Sequence, residues 1–145
     1  MDGMDEALAE ARTGLAEGGI PIGAVVVADG EVVGRGHNRR VQQGSVVLHA
    51  EMDALENAGR VGSKVLRNAT MYTTLSPCDM CSGAILLYGI PKVVVGEHQT
   101  FRGPEAYLRQ RKVDVEVLDR LDCVTLMRDF VRARPDLWFE DIGRG

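Results

Sequence analysis

The sequence predicts an α/β protein, a three-layer α-β-α sandwich built around a central mixed sheet of about five strands. Two valine-rich runs meet at Asp29-Gly30, a strong signal for a hairpin of antiparallel strands. Beyond it, segments with helical spacing alternate with short β-branched runs, the order typical of parallel strands joined by helices. No repeat, low-complexity segment or linker interrupts this order, so residues 1–145 are expected to form a single domain.

The first half of the chain contains an amphipathic helix, the hairpin and a second helix. The first helix is marked by apolar residues at helical spacing that stop before Gly18-Gly19, namely Met4, Ala7, Leu8, Ala11 and Leu15. The hairpin strands are predicted over 23–28 and 31–36. A break at Gly44-Ser45 precedes "LHAEMDALENAG", whose spacing predicts a helix that ends at Gly59.

The second half alternates strands and helices. "ATMYTTL" (69–75) is β-branched and aromatic, which predicts a strand, and Ser76-Pro77 then signals a helix start with serine as the cap. That third helix covers "CDMCSGAILLYG", and the apolar "KVVVG" (92–96) predicts a strand buried on both faces. "PEAYLRQR" is predicted as a helix, 113–118 as a strand, and "DRLDCVTLMRDFVRAR" as a last helix halted by Pro135, leaving "DLWFEDIGRG" as a short tail.

Charge and composition narrow the classes of function. The formal net charge is -4 and the pI is about 5.4, so nucleic acid is not the expected partner. No segment approaches the roughly 18 apolar residues of a membrane span, and the acidic N-terminus does not resemble a signal peptide. Three cysteines do not make a disulfide framework. We therefore expect a cytoplasmic protein with reduced thiols and no membrane partner.

Three candidate zinc ligands stand at the starts of two predicted helices. Catalytic zinc takes three protein ligands and leaves its fourth position to water. His49 begins the second helix, and Cys78 and Cys81 begin the third at i and i+3, on one face of its first turn. The positive potential at a helix start lowers a cysteine pKa and favours the thiolate. If these helices follow adjacent central strands, their starts meet at one sheet edge, and the spacing permits a His-Cys-Cys site.

Glu51 is the candidate catalytic residue, two positions after His49. Two thiolates formally cancel the charge of Zn²⁺, so the metal acidifies water less than it would in a three-histidine site. Such a site needs a carboxylate beside the water to move protons, and Glu51 is placed to supply it.

Other interpretations of the cysteines are a redox pair, a structural zinc site or incidental thiols. A structural zinc site takes four Cys or His ligands, but Cys123 falls among core positions and is expected to be buried packing. His37 and His98 lie in polar turns and are expected at the surface. A redox pair leaves "HAE" unexplained. The combination of His-x-Glu, a strand and Pro-Cys-x-x-Cys favours catalytic zinc, and it is the signature of zinc-dependent nucleobase deaminases.

Over nearly its whole length the chain resembles the fungal free-base cytosine deaminases, members of the cytidine deaminase superfamily. The segments that carry the resemblance are "EGGIPIGAVVV", "GRGHNRR", "LHAEMDALENAGR", "YTTLSPCDMCSGAILLYGIPKVVVGE" and "WFEDIG". The last is the most discriminating, because a zinc motif alone fits any deaminase of the superfamily. The resemblance implies a cytidine deaminase-like fold, one Zn²⁺ per chain on His49, Cys78 and Cys81, and proton transfer by Glu51.

The resemblance also implies contacts with a small nucleobase. Asn38 and the backbone N–H of Ala50 would donate to the 2-oxo group. The backbone carbonyl of Ser76 and the carboxylate of Asp141 would accept from the exocyclic amine. Three apolar side chains would enclose the ring, namely Phe101, Trp138 and Ile22. Each residue also has an interpretation that does not depend on the resemblance. Asn38 could end a strand in a turn, Phe101 and Trp138 could pack in the core, and Asp141 could cap the tail.

The function implied is zinc-dependent hydrolysis of cytosine to uracil and ammonia, as in pyrimidine salvage. The tail would lie over the pocket as a lid and leave little room for ribose. One departure is Ala50, because the fungal enzymes carry glycine between the His and the Glu, whereas alanine is commoner in guanine- and tRNA-adenosine-acting relatives. The alternative is therefore another free heterocycle, such as 5-azacytosine, another amino-triazine or guanine, and after it a tRNA or nucleoside. The resemblance also implies a homodimer, with part of the third helix at the interface.

Overall fold

The computed structural model describes residues 2–144 and contains one sheet with helices on both faces. Its strands are β1 (Gly23–Ala28), β2 (Glu31–His37), β3 (Ala69–Leu75), β4 (Lys92–Glu97) and β5 (Asp114–Val117). Its helices are α1 (Gly3–Ala16), α2 (Arg40–Gln43), α3 (Ala50–Ala58), α4 (Ser63–Leu66), α5 (Asp79–Leu87), α6 (Glu105–Gln110), α7 (Leu121–Ala133) and α8 (Pro135–Asp141). The strand order is β2-β1-β3-β4-β5. The predicted α/β class and mixed five-stranded sheet are confirmed.

The direction of the strands decides where the connecting segments meet. β1 is antiparallel to both β2 and β3, so β2 and β3 run the same way, and β4 and β5 continue parallel to β3. The carboxyl ends of β2, β3 and β4 therefore lie at one edge of the sheet, beside the start of β1. The expectation that the two ligand-bearing helices follow adjacent strands is wrong, because β1 lies between β2 and β3. Their shared direction still brings both connections to this edge.

Each face of the sheet carries its own apolar core. On one face, Val25 and Val94 pack with residues of α1 and α7, namely Met4, Ala7, Leu8 and Cys123. The other face presents Val26, Met71 and Val93 to a larger cluster that includes residues of α3 and α5, namely Ala50, Ala54 and Ile85. Alternate residues of each strand thus point to opposite cores, as a sheet covered on both faces requires.

Three local predictions differ from the structure. The predicted tail is largely the helix α8, which starts at Pro135 because proline suits a first helical position; Gly145, its last residue, lies outside the described residues. Ser76 is not the cap of α5, whose N-cap is Cys78. Ser76 directly follows β3, and its backbone N–H donates to the backbone carbonyl oxygen of Glu97 in β4 at 3.1 Å. The short helices α2 and α4 were not predicted, since four residues carry no periodicity.

Within residues 2–144, no helix combines the length and the apolar character that a membrane span needs.

Close packing of α3 on β2 depends on glycine. A Cβ at Gly34 would collide with the backbone oxygen of Ala54, and one at Gly36 would press on the backbone nitrogen of Ala54. The helix that begins at the sheet edge can therefore lie directly against the strand. Gly34 and Gly36 thereby allow the middle of α3 to approach β2 closely.

Gly34→Ala is expected to lower the free energy of unfolding by about 1–3 kcal/mol, because α3 must move away from β2. Gly62→Ala is the matched control, since a Cβ at Gly62 meets nothing within 4 Å; it should change the free energy by less than about 1 kcal/mol. Urea denaturation of both variants at equal zinc content measures the difference. Equal costs at the two positions would contradict the close-packing argument.

Candidate metal centre and active site

The connections that leave one sheet edge surround a cavity. Its empty volume is about 300 Å³, including space that is open to solvent. Ten of the eleven residues predicted for the site line it, namely Ile22, Asn38, His49, Ala50, Glu51, Ser76, Cys78, Phe101, Trp138 and Asp141. The eleventh, Cys81, is buried directly behind, beside His49 and Cys78. The structure therefore brings together residues from six separate segments of the chain.

His49, Cys78 and Cys81 have the geometry of three zinc ligands. His49 and Cys78 are the N-caps of α3 and α5, so both helix starts point at the same place. The Nδ1 atom of His49 lies 3.4 Å from the Cys78 sulfur and 3.8 Å from the Cys81 sulfur. Tetrahedral zinc with bonds of about 2.1 Å to nitrogen and 2.3 Å to sulfur requires separations of about 3.6 Å. The residues present fit the metal.

The electrostatics of these ligands reflect their mutual contacts. A hydrogen bond from Cys81 lowers the pKa of the Cys78 thiol to about 4, with His49 adding to the effect and burial opposing it. The same bond and burial raise the pKa of Cys81 well above its ordinary range. Burial lowers the pKa of His49, but its bond to Cys78 and the charge of Asp141 outweigh this and raise it to about 9. Zinc takes thiolates and neutral imidazole, so it must displace protons from His49 and Cys81.

Glu51 has the environment of a group that can both take and give a proton. It lies in the first turn of α3, lines the cavity and is only 4% exposed. Burial raises its pKa to about 7, against the opposing effect of His49. A carboxyl group is an efficient general acid and base when its pKa is near the working pH.

Asn38 follows β2 with no exposed surface and a fully determined orientation. Its Oδ1 accepts from the backbone N–H of Arg40 at 3.0 Å, so its Nδ2 is the donor that faces Asp141 Oδ1 at 2.8 Å. The end of β2 is held in turn by buried Asp53, which accepts from the backbone N–H of His37 and from Arg39 Nε, both at 3.1 Å. One N–H of the Asn38 amide therefore remains to donate into the cavity.

Asp141, on α8, joins the tail of the chain to the metal site. Its Oδ1 lies 3.3 Å from His49 Nε2 and 3.6 Å from Arg40 Nε. Burial raises the pKa of this carboxyl, while His49, Asn38 and Arg40 act in the opposite direction. A carboxylate at the second nitrogen of a ligating histidine fixes its ring and tautomer. This contact with His49 was not predicted from the sequence.

Two aromatic rings close the cavity on the side away from the sheet. Phe101 and Trp138 stand edge to face, with ring centroids 6.2 Å apart and an interplanar angle of 82°. Trp138 is only 4% exposed, although it lies in the last helix of the chain. Sequence reasoning missed two further lining residues, Leu75 and Ile142. Each directly adjoins a predicted site residue, Ser76 or Asp141, and that adjacency was the available signal.

The remaining cysteine and histidines lie outside the ligand trio. Cys123 is 1% exposed in the core of the other sheet face, as predicted, and burial raises the pKa of its thiol to about 12. His37 is not at the surface: it is buried, with its ring nitrogens 2.9 Å from Glu10 and 2.8 Å from Glu17. The expectation failed because α1 packs over the end of β2, and this contact joins segments that are distant in the sequence. His98 is partly buried against Glu105.

Cys78→Ser and Cys81→Ser should each reduce bound zinc well below one ion per chain, because each removes one thiolate of the trio. Cys123→Ala is the control and should retain the zinc of the unaltered protein. Atomic emission on dialysed samples measures the content. Full occupancy in either serine variant would exclude that cysteine as a ligand.

Comparison with known proteins places this geometry among deaminases. Residues 2–97 match the family model for the cytidine and deoxycytidylate deaminase zinc-binding region. A cytosine deaminase of Candida albicans is 49% identical over 142 residues, covering 97% of this chain and 95% of that protein. A tRNA-specific adenosine deaminase of Streptococcus pyogenes serotype M18 is 41% identical over 139 residues, covering 89% of this chain and 87% of that protein.

Solved structures give the same fold. A tRNA:A34 deaminase, described as carrying out A-to-I editing at the wobble position of transfer RNA, superposes with a TM-score of 0.73 at 29% identity, covering 86% of this chain and 97% of that one. A guanine deaminase from Nitrosomonas europaea superposes with a TM-score of 0.71 at 24% identity, covering 88% and 82%. At the latter identity the likeness is one of fold alone.

Proposed function

We propose, given that this chain belongs to the cytidine and deoxycytidylate deaminase zinc-binding family, that it hydrolyses the exocyclic C–N bond of a free amino-pyrimidine, cytosine, to give uracil and ammonia. The observation that carries the choice of a free base is that the last helix of the chain lines the cavity, through Trp138 and Asp141 of α8. Together with Ile142, which directly follows α8, these side chains would restrict the space for a ribose. The 49% identity with a cytosine deaminase supports the same choice.

The chemistry divides between the metal and Glu51. Bound at His49, Cys78 and Cys81, zinc supplies Lewis-acid activation of the attacking water. Glu51 takes a proton from that water and delivers it to ring N3, while the water oxygen bonds to C4. Glu51 then transfers the second proton of the water to the exocyclic nitrogen as the C4–N bond breaks. Water and cytosine thus become uracil and ammonia, and Glu51 ends in its starting state.

The polar groups of the cavity match the two ends of the cytosine ring. The backbone N–H of Ala50 is the first of α3 and has no partner within its helix, so it can donate to the 2-oxo group together with Asn38. Within residues 2–144, the contacts of Asp141 with Asn38, Arg40 and His49 all use Oδ1. Its Oδ2 is available to accept from the amine, together with the Ser76 carbonyl. Phe101 and Trp138 would hold the ring plane, with Ile22 beneath.

A second candidate substrate is another free heterocycle, favoured by Ala50. Ala50 lines the cavity and has no exposed surface, at the position where the fungal family has glycine. A deamination panel of cytosine, 5-azacytosine, guanine, adenine and cytidine, followed by ultraviolet absorbance, distinguishes the candidates. The base with the highest kcat/KM identifies the ring, and a shift toward cytosine in Ala50→Gly would attribute the difference to the methyl group of Ala50.

We also infer that residues 1–145 act as one domain and that the working form is a homodimer in the cytoplasm. Leu87 and Tyr88, at the end of α5, are 74% and 46% exposed, and burial against a second copy would remove this apolar surface from water. Sedimentation equilibrium of the zinc-loaded protein measures the assembly directly, and a monomer at micromolar concentration would exclude it.

Glu51→Gln should lower kcat for cytosine by at least about 10²–10⁴-fold, because the amide cannot carry a proton between water and base. Zinc content should remain at one per chain, since Glu51 is not a ligand. Glu56→Gln, on the exposed face of the same helix, is the matched control and should keep normal turnover. An active Glu51→Gln enzyme would remove the assigned role.

Trp138→Ala should raise KM for cytosine about tenfold and narrow the preference of the enzyme for cytosine over cytidine, because it opens the roof of the cavity. Phe139→Ala is the control. Phe139 follows Trp138 in the sequence, but its ring is 44% exposed and does not line the cavity. Steady-state kinetics on both substrates measure the effect. Faster turnover of cytidine than of cytosine by the unaltered protein would contradict the proposed free-base specificity.

A further inference from the structure

A buried polar cluster lies directly behind the cavity wall formed by Ser76. The Ser76 hydroxyl donates to Glu105 Oε2 at 2.7 Å and accepts from the backbone N–H of Gly103 at 3.0 Å. Both Ser76 and Glu105 are only 3% exposed. A carboxylate that accepts from a hydroxyl away from water makes a strong, well-directed hydrogen bond. The serine is therefore anchored from outside the cavity.

The same carboxylate holds the beginning of the loop that follows β4. His98 Nδ1 lies 3.1 and 3.2 Å from the two oxygens of Glu105, and Arg102 Nη2 lies 3.0 Å from His98 Nε2. A guanidinium can only donate, so His98 Nε2 is the acceptor and the Nδ1–H points at Glu105. Glu105 thus contacts the His98 side chain directly, and it contacts the backbone of Gly103 through the Ser76 hydroxyl.

The far end of this loop is in direct contact with the β3–α5 connection. A Cβ at Gly103 would collide with the backbone oxygen of Pro77, so the two backbones pass each other with no side chain between them. Phe101 lies between the two anchored points, with its ring edge to face with Trp138. Between these points, the backbone N–H groups of Gln99 and Thr100 donate to Glu97 Oε2 at 2.7 and 2.9 Å. The position of the Phe101 ring therefore depends on these bonds together with the contacts that hold residues 98 and 103.

Ser76 has three polar groups, and two of them are committed. Its backbone N–H donates to the Glu97 oxygen at 3.1 Å, and its hydroxyl is bound to Glu105 and Gly103. Among residues 2–144, no backbone N–H group donates to its backbone carbonyl. This carbonyl is the group available to a substrate amine, and the other two bonds hold the residue that carries it.

We propose that Glu105 is a positioning residue of this active site, which sets both the Ser76 carbonyl that receives the amine and the Phe101 ring that covers the base. The assignment to amine recognition rests on the proposed function, whereas the placement of Phe101 does not. Glu105 itself touches no substrate. Its effect reaches the base through Ser76, Gly103 and His98.

The chain offers a spectroscopic reporter for this role. Trp138 is its one tryptophan, and it is the ring that Phe101 contacts. Emission and acrylamide quenching of the zinc-loaded protein without substrate therefore report whether Phe101 stays in place. Phe101→Ala gives the reference signal for Trp138 without the neighbouring Phe101 ring.

The experiment compares Glu105→Ala, Glu105→Gln and Ser76→Ala with Glu116→Gln, which alters an exposed carboxylate on β5. Glu105→Ala should move Trp138 quenching toward the Phe101→Ala value and raise KM about tenfold, with one zinc per chain. Glu105→Gln, which keeps an acceptor oxygen, should restore much of both losses. Ser76→Ala combined with Glu105→Ala should raise KM by less than the product of the two single effects, because the hydrogen bond between the two side chains is already lost in either single variant.

Two results would overturn the proposal. One is unchanged quenching and KM in Glu105→Ala. The other is a lowered melting temperature with a smaller active fraction but unchanged KM, the result of a merely structural role. If Glu105→Ala does not fold, KM and Trp138 quenching of Glu105→Gln are compared with those of Glu116→Gln. A change in both values supports the proposal, and unchanged values contradict it. If the unaltered protein deaminates no base, the proposed function fails, while the quenching comparison still decides whether Glu105 holds Phe101.

Discussion

The meeting of two helix N-termini at one sheet edge is the constraint on which the rest of this structure depends. α3 and α5 follow strands that run in the same direction, and their N-cap residues, His49 and Cys78, lie 3.4 Å apart between nitrogen and sulfur. Backbone N–H groups at a helix start have no partners within the helix and carry positive potential. That potential favours the thiolate of a metal ligand, and the Ala50 N–H has no partner within its helix. Glu51 lies in the same first turn of α3.

The chain completes this site with its last helix. Asp141 reaches His49 and Asn38 at once, and Trp138 covers the cavity against Phe101. Arg40 contacts both Glu140 and Asp141, which ties the helix to the segment after β2. The zinc-binding region of the family ends at residue 97, so the roof is built from the part of the chain beyond it. The ligand trio therefore lies within that region, whereas part of the cavity wall lies beyond it.

Burial gives the carboxyl groups of the site their properties. Glu51 is removed from water, which raises its pKa to about 7 and suits it to exchange protons. Asp141 is also buried, but a histidine, an amide and a guanidinium face it and oppose the effect of burial. Two carboxyl groups that line one cavity thus have different environments, one governed mainly by burial and the other also by three polar partners.

The amino-acid sequence alone determined the features with local signals: the hairpin at Asp29-Gly30, the alternation of strands and helices, and the ligand trio with Glu51. Each of these features has a short-range signal, such as a turn dipeptide, a strand or helix period, His-x-Glu or Cys-x-x-Cys. The sequence did not determine the burial of His37, the shift of the α5 cap from Ser76 to Cys78 or the docking of α8. These features involve hydrogen bonds between distant residues: His37 with Glu10 across 27 positions, Ser76 with Glu105 across 29, and Asn38 with Asp141 across 103. Only the tertiary structure decided such contacts, because the direction and order of the strands set which distant residues meet.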